Sequence, residues 1–445
     1  MQLFGTDGIR GQAQAFFDNS LAFRLGDALG QLWQGSTILL GQDSRNSSPA
    51  IAAQITAGLQ AQACTVWHLG LCPTPAVPYL THHFAQIRGG VMISASHNPP
   101  QDNGIKFFDH DGSKISADLQ QQIEQLLHSA NSSSLPASPP DADITHQPAL
   151  LDHYQQALQA SVNVDLDGLH IALDLAWGSA VRLSANVFRN LGAKVTCLHD
   201  QPDGDRINVN CGSTHLDKLQ RFVQEIGADI GFAFDGDADR VLAVDPQGKI
   251  IDGDRILFLW GRDLQQQDRL PSNLIVTTVM ANLGFERAWQ KLGGKLLRTP
   301  VGDQHVHSTM LAEGAMLGGE QSGHILCRHY GISGDGLLTA IHFAKLIKKH
   351  TLPALLAESF STYPQILRNV QVHDKHKRLH WQDCQPLMSS VKSAENTLGD
   401  RGRVLVRASG TEPVIRIMVE AETHDLAHHW ADYLTAAVQY YLSAQ

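Results

Sequence analysis

Short runs of β-branched and aliphatic residues alternate with helical stretches along most of this chain. That alternation limits its possible folds more than any other feature. Thr37 to Leu40 reads as a strand, Pro49 to Gln62 as a helix, and Thr65 to Leu69 and Gly89 to Ser94 as further strands. Strands separated by helices pair through crossovers, which predicts parallel α/β units. A second block repeats the pattern, with strand Leu169 to Leu173, helix Ala180 to Asn190, and strands Lys194 to Leu198 and Asp229 to Phe234. A third runs from about Ile251 to Pro364, with strand candidates at Leu274 to Thr277, Lys295 to Arg298 and Ala315 to Leu317.

The tail changes character. Strands Ile366 to Val372, Val404 to Arg407 and Val414 to Val419 flank a helix, and a last helix runs from Asp425 to Leu442, which reads as a smaller α+β domain. A chain of 445 residues is too long for one core. The polar stretch Ser129 to Pro148, with Asn131-Ser132-Ser133-Ser134 and Pro139-Pro140, reads as a linker. The expected fold class is α/β, with domains at 1–148, 149–250, 251–364 and 365–445. The similar lengths of the three α/β blocks suggest a diverged internal repeat.

Composition narrows the function classes. Lys plus Arg number 34 against 44 for Asp plus Glu, a net charge of −10, which argues against a nucleic-acid binder with its basic stripe. An anionic substrate must then be attracted by local clusters rather than by the global field. No apolar run reaches the roughly 18 residues of a membrane span, so no membrane partner is expected. The N-terminus Met1-Gln2-Leu3-Phe4-Gly5 lacks the basic and apolar regions of a signal peptide. Six cysteines are scattered without a C-x-x-C pair, which fits a reduced, cytoplasmic protein. The 23 histidines lie singly, with no H-E-x-x-H spacing.

Chemistry concentrates at a few places. Gly90-Val91-Met92-Ile93-Ser94 is a buried-strand run that delivers Ser96-His97-Asn98-Pro99 to a loop, and Asp102-Asn103-Gly104-Ile105-Lys106 follows at once. A hydroxyl, an imidazole, an amide and an ammonium in one turn can make and break a phosphoserine, although the same residues also form plain polar turns. Asp235-Gly236-Asp237-Ala238-Asp239-Arg240 directly follows the apolar run Ile230 to Phe234. In an extended segment, alternate side chains share a face and would bring Asp235, Asp237 and Asp239 together. Three such carboxylates repel unless a cation sits among them, and hard oxygen ligands with open positions suit Mg²⁺. An EF-hand would need Gly and Glu where Arg240 and Pro246 stand.

Gly318-Gly319-Glu320-Gln321-Ser322-Gly323-His324 follows another strand-like run. Glu320 and Ser322 suit vicinal sugar hydroxyls and His324 suits proton transfer, but a glycine-bracketed turn explains the pattern equally well. Arg407-Ala408-Ser409-Gly410-Thr411-Glu412-Pro413, with Arg416 beyond, combines hydroxyls, a glycine amide and guanidiniums as a phosphate dianion requires. It is equally a hairpin connection, and the two readings are compatible. Phe4-Gly5-Thr6-Asp7-Gly8-Ile9-Arg10-Gly11 packs three glycines around Arg10 and has neither Walker nor dinucleotide spacing.

Read in order, Phe4 to Gly11, Ser94 to Pro99, Asp235 to Arg240, Gly319 to His324 and Arg407 to Pro413 resemble the five signature stretches of the α-D-phosphohexomutases, over essentially the whole chain. The wording at Gly5 to Gly11 and Gly319 to His324, Gln321 included, is most similar to the bacterial amino-sugar branch; the phosphomannomutase/phosphoglucomutase branch is the runner-up. The resemblance implies four domains around a central cleft and a phosphoserine at Ser96. It also implies one Mg²⁺ held by Asp235, Asp237, Asp239 and the phosphoserine 96 oxygen. Arg10, His97, Lys106, Arg240 and His324 would surround the transferring group. Glu320 and Ser322 would select sugar hydroxyls, while Arg407, Ser409, Gly410, Thr411 and Arg416 would grip the non-reacting phosphate. The implied partner is a sugar phosphate, with glucosamine 1,6-bisphosphate as intermediate and activator, in a monomer or homodimer. Three positions depart from the family wording: Ala238 stands where glycine is common, Trp177 where asparagine is usual, and Gln304 where arginine is frequent. Two other classes stay open, a metal-dependent phosphatase and a catalytically inert sugar-phosphate binder.

Overall fold

The computed structural model describes residues 3–5, 7–16, 18–129, 142, 144–409 and 412–443. Most of the expected linker, together with Gly410 and Thr411, lies outside the described residues.

The first sheet holds β1 (Ile9–Gln12), β2 (Thr37–Gln42), β3 (Thr65–Leu71), β4 (Ile87–Ile93), β5 (Asp102–Asp109) and β6 (Thr145–His146), in the order β1-β5-β4-β2-β3-β6. β2 pairs in parallel with β3 and β4, as the helical crossovers require, and β5 runs antiparallel to β4 and β1. Ile38, Leu40, Val91, Ile93, Ile105 and Phe107 share a core with Leu25, Leu29, Ile51 and Ile55, which lie on helices Leu21–Leu32 and Ser48–Ala61. The two helices approach so closely that a Cβ on Gly58 would lie 2.2 Å from the Phe23 carbonyl oxygen. Glycine there is a packing requirement.

The second sheet holds β7 (His170–Asp174), β8 (Lys194–Leu198), β9 (Ile230–Phe234), β10 (Val241–Val244) and β11 (Ile250–Ile251), ordered β11-β10-β9-β7-β8. The third holds β12 (Leu274–Thr278), β13 (Lys295–Thr299), β14 (Leu317–Gly319) and β15 (Ile325–Cys327), ordered β13-β12-β14-β15. The series β5-β4-β2-β3, β10-β9-β7-β8 and β15-β14-β12-β13 follow one order, so the expected repeat exists as topology. In each, a loop joins β4 to β5, β9 to β10 or β14 to β15, and each pair is antiparallel. Those three loops carry Ser96, the aspartates, and Glu320 to His324.

Residues 1–280 and 294–358 form one compact unit, and residues 281–293 with 359–445 form a second. The second contains β16 (Gln365–Gln371), β17 (Gly402–Ala408) and β18 (Val414–Ala421), all antiparallel and ordered β16-β18-β17. Ile415, Ile417 and Val419 pack with Leu387, Val391 and Leu398 from helix Gln385–Leu398 and with Trp430, Leu434 and Val438 from helix His424–Val438. Helix Leu283–Lys291 belongs to this unit, with Phe285 stacked on Phe360.

Several expectations need correction. The stretch Asp102 to Lys106, expected as polar loop, begins strand β5. The single helix expected over Ala180 to Asn190 is a 3-10 turn, Ser179–Arg182, followed by helix Ser184–Asn190, with the break at Leu183 (φ −127°). The strand expected at Ala315 to Leu317 lies at Leu317–Gly319, where a Cβ on Gly318 would lie 2.8 Å from the Val276 carbonyl and 2.5 Å from the Met310 sulfur. Within the expected linker, Thr145 and His146 pair with β3. The last α-helix ends at Val438 and passes into a π-turn, Gln439–Ser443.

Candidate active site

Ser96 is fully buried and left-handed, with φ +52°. Its Oγ donates to Asp235 Oδ2 at 2.6 Å and lies 3.3 Å from His97 Nδ1. Its backbone N–H donates to Ser94 Oγ at 2.9 Å. Asp235, Asp237 and Asp239 each offer an oxygen, and these lie within 4.8 Å of one another. They converge through a tight turn rather than the extended segment expected from alternation: Ala238 adopts φ +60° and its N–H donates to the Asp235 carbonyl at 3.1 Å. The glycine common at that position would adopt this φ without strain.

Lys106, carried inward on β5, donates from Nζ to Asp237 Oδ2 at 2.9 Å and Asp239 Oδ2 at 2.8 Å, and lies 3.2 Å from Asp7 Oδ2. Desolvation opposes its ammonium, yet Asp237, Asp239 and Asp7 outweigh it and raise the Lys106 pKa well above the usual lysine value. Burial, joined by Asp239 and Asp237, pushes Asp235 well above the ordinary carboxylate range. Burial also opposes charge on Asp239, but Lys106 and His324 prevail and hold it well below that range. Asp237 Oδ1 and Asp239 Oδ1 are buried without hydrogen-bond partners. Carboxylate oxygens that accept no hydrogen bond in a buried triad are what a hard divalent cation satisfies, so the donor set fits Mg²⁺.

Around this centre, Arg10 pairs with Asp7 and reaches toward the Ala95 carbonyl and Asn98 Oδ1, both at 3.4 Å. The Arg240 N–H donates to Asp235 Oδ1 at 3.2 Å, and its Nε lies 3.8 Å from Asp239 Oδ1. Burial, then Arg240 and Arg10, push His97 down to about 4, so its ring is neutral at pH 7. His324 stands 3.6 Å from both Asp239 and Asp303; those carboxylates overcome burial and raise its pKa. Glu320 Oε1 accepts from the Gly302 N–H at 3.1 Å, and Ser322 Oγ is buried and unpartnered. Gln321 donates to Asp252 Oδ2 at 3.3 Å. A cavity of about 210 Å³ adjoins the centre, lined by Asp7, Lys106, Lys114, Asp239, Asp303 and His324 among others.

The C-terminal hairpin carries its own cluster. Arg407 and Arg416 face each other across β17 and β18. Desolvation and the neighbouring Arg416 lower the Arg407 pKa. Arg416 also pairs with Glu412 at 2.5 Å while its Nε is buried without a partner, and Ser409 Oγ accepts from the Glu412 N–H at 3.2 Å. Two guanidiniums side by side repel and invite an anion between them. Gly410 and Thr411 fall outside the described residues.

Sequence reasoning missed Asp7, Lys114, Asp303, Arg45 and Asn208. Lys114 bridges Asp7 and Asp303, and Asp7 sits among the three cations Lys106, Lys114 and Arg10, which outweigh its burial and hold its carboxyl well below the usual range. Asp7 stands inside the glycine-rich stretch already singled out and Asp303 directly precedes the singled-out Gln304, so both had a signal; the others lie in stretches with none. Trp177 has a stacking role: the Arg206 guanidinium lies 4.1 Å above its ring. Asp174, His199 and Cys211 also cluster within 4.8 Å, but Asp174 already accepts from His199 at 2.7 Å and from the Ala176 and Gly212 N–H groups. Burial and Asp174 push the Cys211 thiol up to about 12. Among the described residues no helix is long and apolar enough to cross a membrane.

Four family models match in order: phosphoglucomutase/phosphomannomutase α/β/α domain I over residues 1–134, domain II over 151–248, domain III over 252–363 and the C-terminal domain over 367–437. The chain is 56% identical over 452 residues to a phosphoglucosamine mutase of Gloeothece citriformis, covering 99% of this chain and 93% of the relative. It is also 56% identical over 449 residues to one from Synechocystis sp., covering 99% and 93%. A phosphoglucomutase/phosphomannomutase family protein from Burkholderia thailandensis shares the fold with TM-score 0.81 at 24% identity, over 99% and 97% of the two chains. So does Aspergillus fumigatus N-acetylphosphoglucosamine mutase, solved with GlcNAc-6P and magnesium, with TM-score 0.69 at 18% identity, over 99% and 96%.

Proposed function

The chain belongs to the phosphoglucomutase/phosphomannomutase family of phosphohexomutases, and from that membership we propose that it interconverts glucosamine 6-phosphate and glucosamine 1-phosphate through a phosphoserine at Ser96. The observation that carries the proposal is Ser96 Oγ, buried and 2.6 Å from the first of three converging carboxylates. The relatives' amino-sugar name supports the choice of substrate.

In the forward direction the sugar 1-hydroxyl attacks the phosphorus of phosphoserine 96. The new O1–P bond forms as the Ser96 Oγ–P bond breaks, giving glucosamine 1,6-bisphosphate. After the sugar turns, Ser96 Oγ attacks the 6-phosphate phosphorus, the O6–P bond breaks, and glucosamine 1-phosphate leaves. Mg²⁺ held by Asp235, Asp237, Asp239 and a phosphoserine oxygen would offset charge on the transferring group. Arg10, Lys106 and Arg240 supply fixed positive charge around the same oxygens. The candidates for taking the proton of the incoming hydroxyl are His324 and Lys106, and Lys106 would serve only after giving up the proton that Asp237, Asp239 and Asp7 favour on its ammonium. Neutral His97 packs beside Ser96 Oγ. Glu320 and Ser322 would orient sugar hydroxyls, and Arg407, Ser409, Gly410, Thr411 and Arg416 would take the non-reacting phosphate. The product is the sugar 1-phosphate needed for UDP-N-acetylglucosamine and the bacterial cell wall, made in the cytoplasm.

The test is incubation with glucosamine 6-phosphate, Mg²⁺ and a trace of the 1,6-bisphosphate, following the 1-phosphate. Ser96→Ala is expected to abolish its formation. Free phosphate as the main product would point to a phosphatase, and undiminished turnover in Ser96→Ala would remove the central claim. Faster turnover of mannose or glucose phosphates than of glucosamine phosphates would place the chain in the other branch.

A further inference from the structure

We infer that Arg45 and Asn208 are positioning residues that fix the Ser96 loop for phosphoryl transfer, a role that rests on Ser96 being the phosphoryl carrier. The Arg45 side chain is fully buried and paired with Asp43 at 2.9 Å. Its remaining N–H groups converge on a single loop. Nη1 donates to the Pro99 carbonyl and, at 2.8 Å, to that of Asp102; Nη2 donates to the Ser96 carbonyl at 3.0 Å and that of Asn98 at 2.8 Å. The Asn98 and Pro99 carbonyls each precede a proline, so two successive peptides lack an N–H and the loop is rich in acceptors. A planar guanidinium can satisfy four such carbonyls at once, which a lysine cannot.

Asn208 holds the same loop from the block that carries the aspartates. Its Nδ2 donates to the Ser96 carbonyl at 2.8 Å and the Asn98 carbonyl at 3.1 Å. It adopts φ +62°, a conformation asparagine tolerates better than most residues. Beside it, a Cβ on Gly236 would lie 2.7 Å from both Asn208 Nδ2 and the Ser96 carbonyl oxygen. The serine loop and the aspartate loop are therefore seated against each other at this contact. Neither Arg45 nor Asn208 hydrogen-bonds Ser96 Oγ; both act through the backbone of Ser96. In-line transfer is sensitive to placement, a 1 Å error costing on the order of a hundredfold.

Asn208→Asp tests the role, because it keeps the shape and tolerates the left-handed φ but turns an acceptor toward two carbonyls. With Mg²⁺ and glucosamine 6-phosphate, kcat is expected to fall roughly ten- to a hundredfold while KM stays within about twofold. Phosphorylation of Ser96 by glucosamine 1,6-bisphosphate, followed by mass spectrometry, is expected to slow by the same factor. Asn208→Gly keeps the backbone conformation and deletes the amide, and it decides the matter if Asn208→Asp does not fold. A folded variant with wild-type kcat, or a loss confined to KM, overturns the inference. Absence of Ser96 phosphorylation in the wild-type protein overturns the carrier reading itself, whereas wild-type phosphorylation with unaffected variants overturns only the positioning role.

Discussion

Ser96, Asn208 and Ala238 all hold left-handed backbone without being glycine, and each sits in or against the candidate centre. Such conformations cost about 1–2 kcal/mol apiece, so the surrounding contacts must over-determine them. The residues proposed to carry the chemistry are legible in the sequence because they stand in clusters: a serine beside a histidine, three aspartates in five positions. Arg45 and Asn208 are illegible because they act 51 and 112 residues away from the Ser96 carbonyl they hold. A different kind of buried group is His342. It stacks on Trp260 with ring centres 4.7 Å apart, lies 3.2 Å from Ser161 Oγ, and is pushed down to about 3 by burial, then by Lys345 and Arg269. The unfolded chain takes up this proton near pH 6.5, while the folded chain refuses it until about pH 3. Stability is therefore lost as pH falls below 6.5. Between pH 7.5 and 5 the term is on the order of 2 kcal/mol. Urea unfolding at those two pH values is expected to show His342→Phe losing less stability than the wild type by about that amount. An equal loss in both would show that His342 does not drive the dependence.

At the level of elements, the parallel strands announce themselves through their apolar runs, and β2, β3, β8 and β9 fall close to where their residues place them. The antiparallel strand that comes last along the chain in each of the three matching four-strand series is harder to read. β5 begins with Asp102 and Asn103 and resembles a loop, yet it is this strand that carries Lys106 into the centre. The aspartate loop likewise reads as extended but is a turn, since side-chain alternation and a tight turn can gather the same three carboxylates. In the C-terminal unit the β17–β18 hairpin sets Arg407 opposite Arg416, a like-charge cross-strand pair that is unfavourable without an anion. Arg416→Gln is expected to raise KM for the sugar phosphate roughly tenfold with kcat changed little. Steady-state kinetics over a range of substrate concentrations will show it; a fall in kcat at unchanged KM would remove the hairpin from ground-state binding.

Across the whole molecule, one strand order occurs three times, and the connection between its third and fourth strands along the chain carries the candidate site residues each time. The sequence displays no literal repeat because topology constrains which positions are buried, not which residue fills them. The centre collects acidic side chains in a chain already at −10, so its stability is expected to depend on a divalent cation. Saturating Mg²⁺ at about a hundred times its dissociation constant is expected to add about 2.7 kcal/mol, and EDTA to remove both that increment and turnover. Thermal melts of wild type and Asp237→Asn with and without Mg²⁺ check this, the variant being expected to lose most of the increment. Identical increments in the two proteins would place the cation elsewhere.

The clamp on the Ser96 loop has one further consequence. A carbonyl gripped by a buried guanidinium and an amide cannot swing to meet first one end of a sugar and then the other. On the proposed phosphoserine route the serine is then an anvil, and what turns over between the two half-reactions is the substrate.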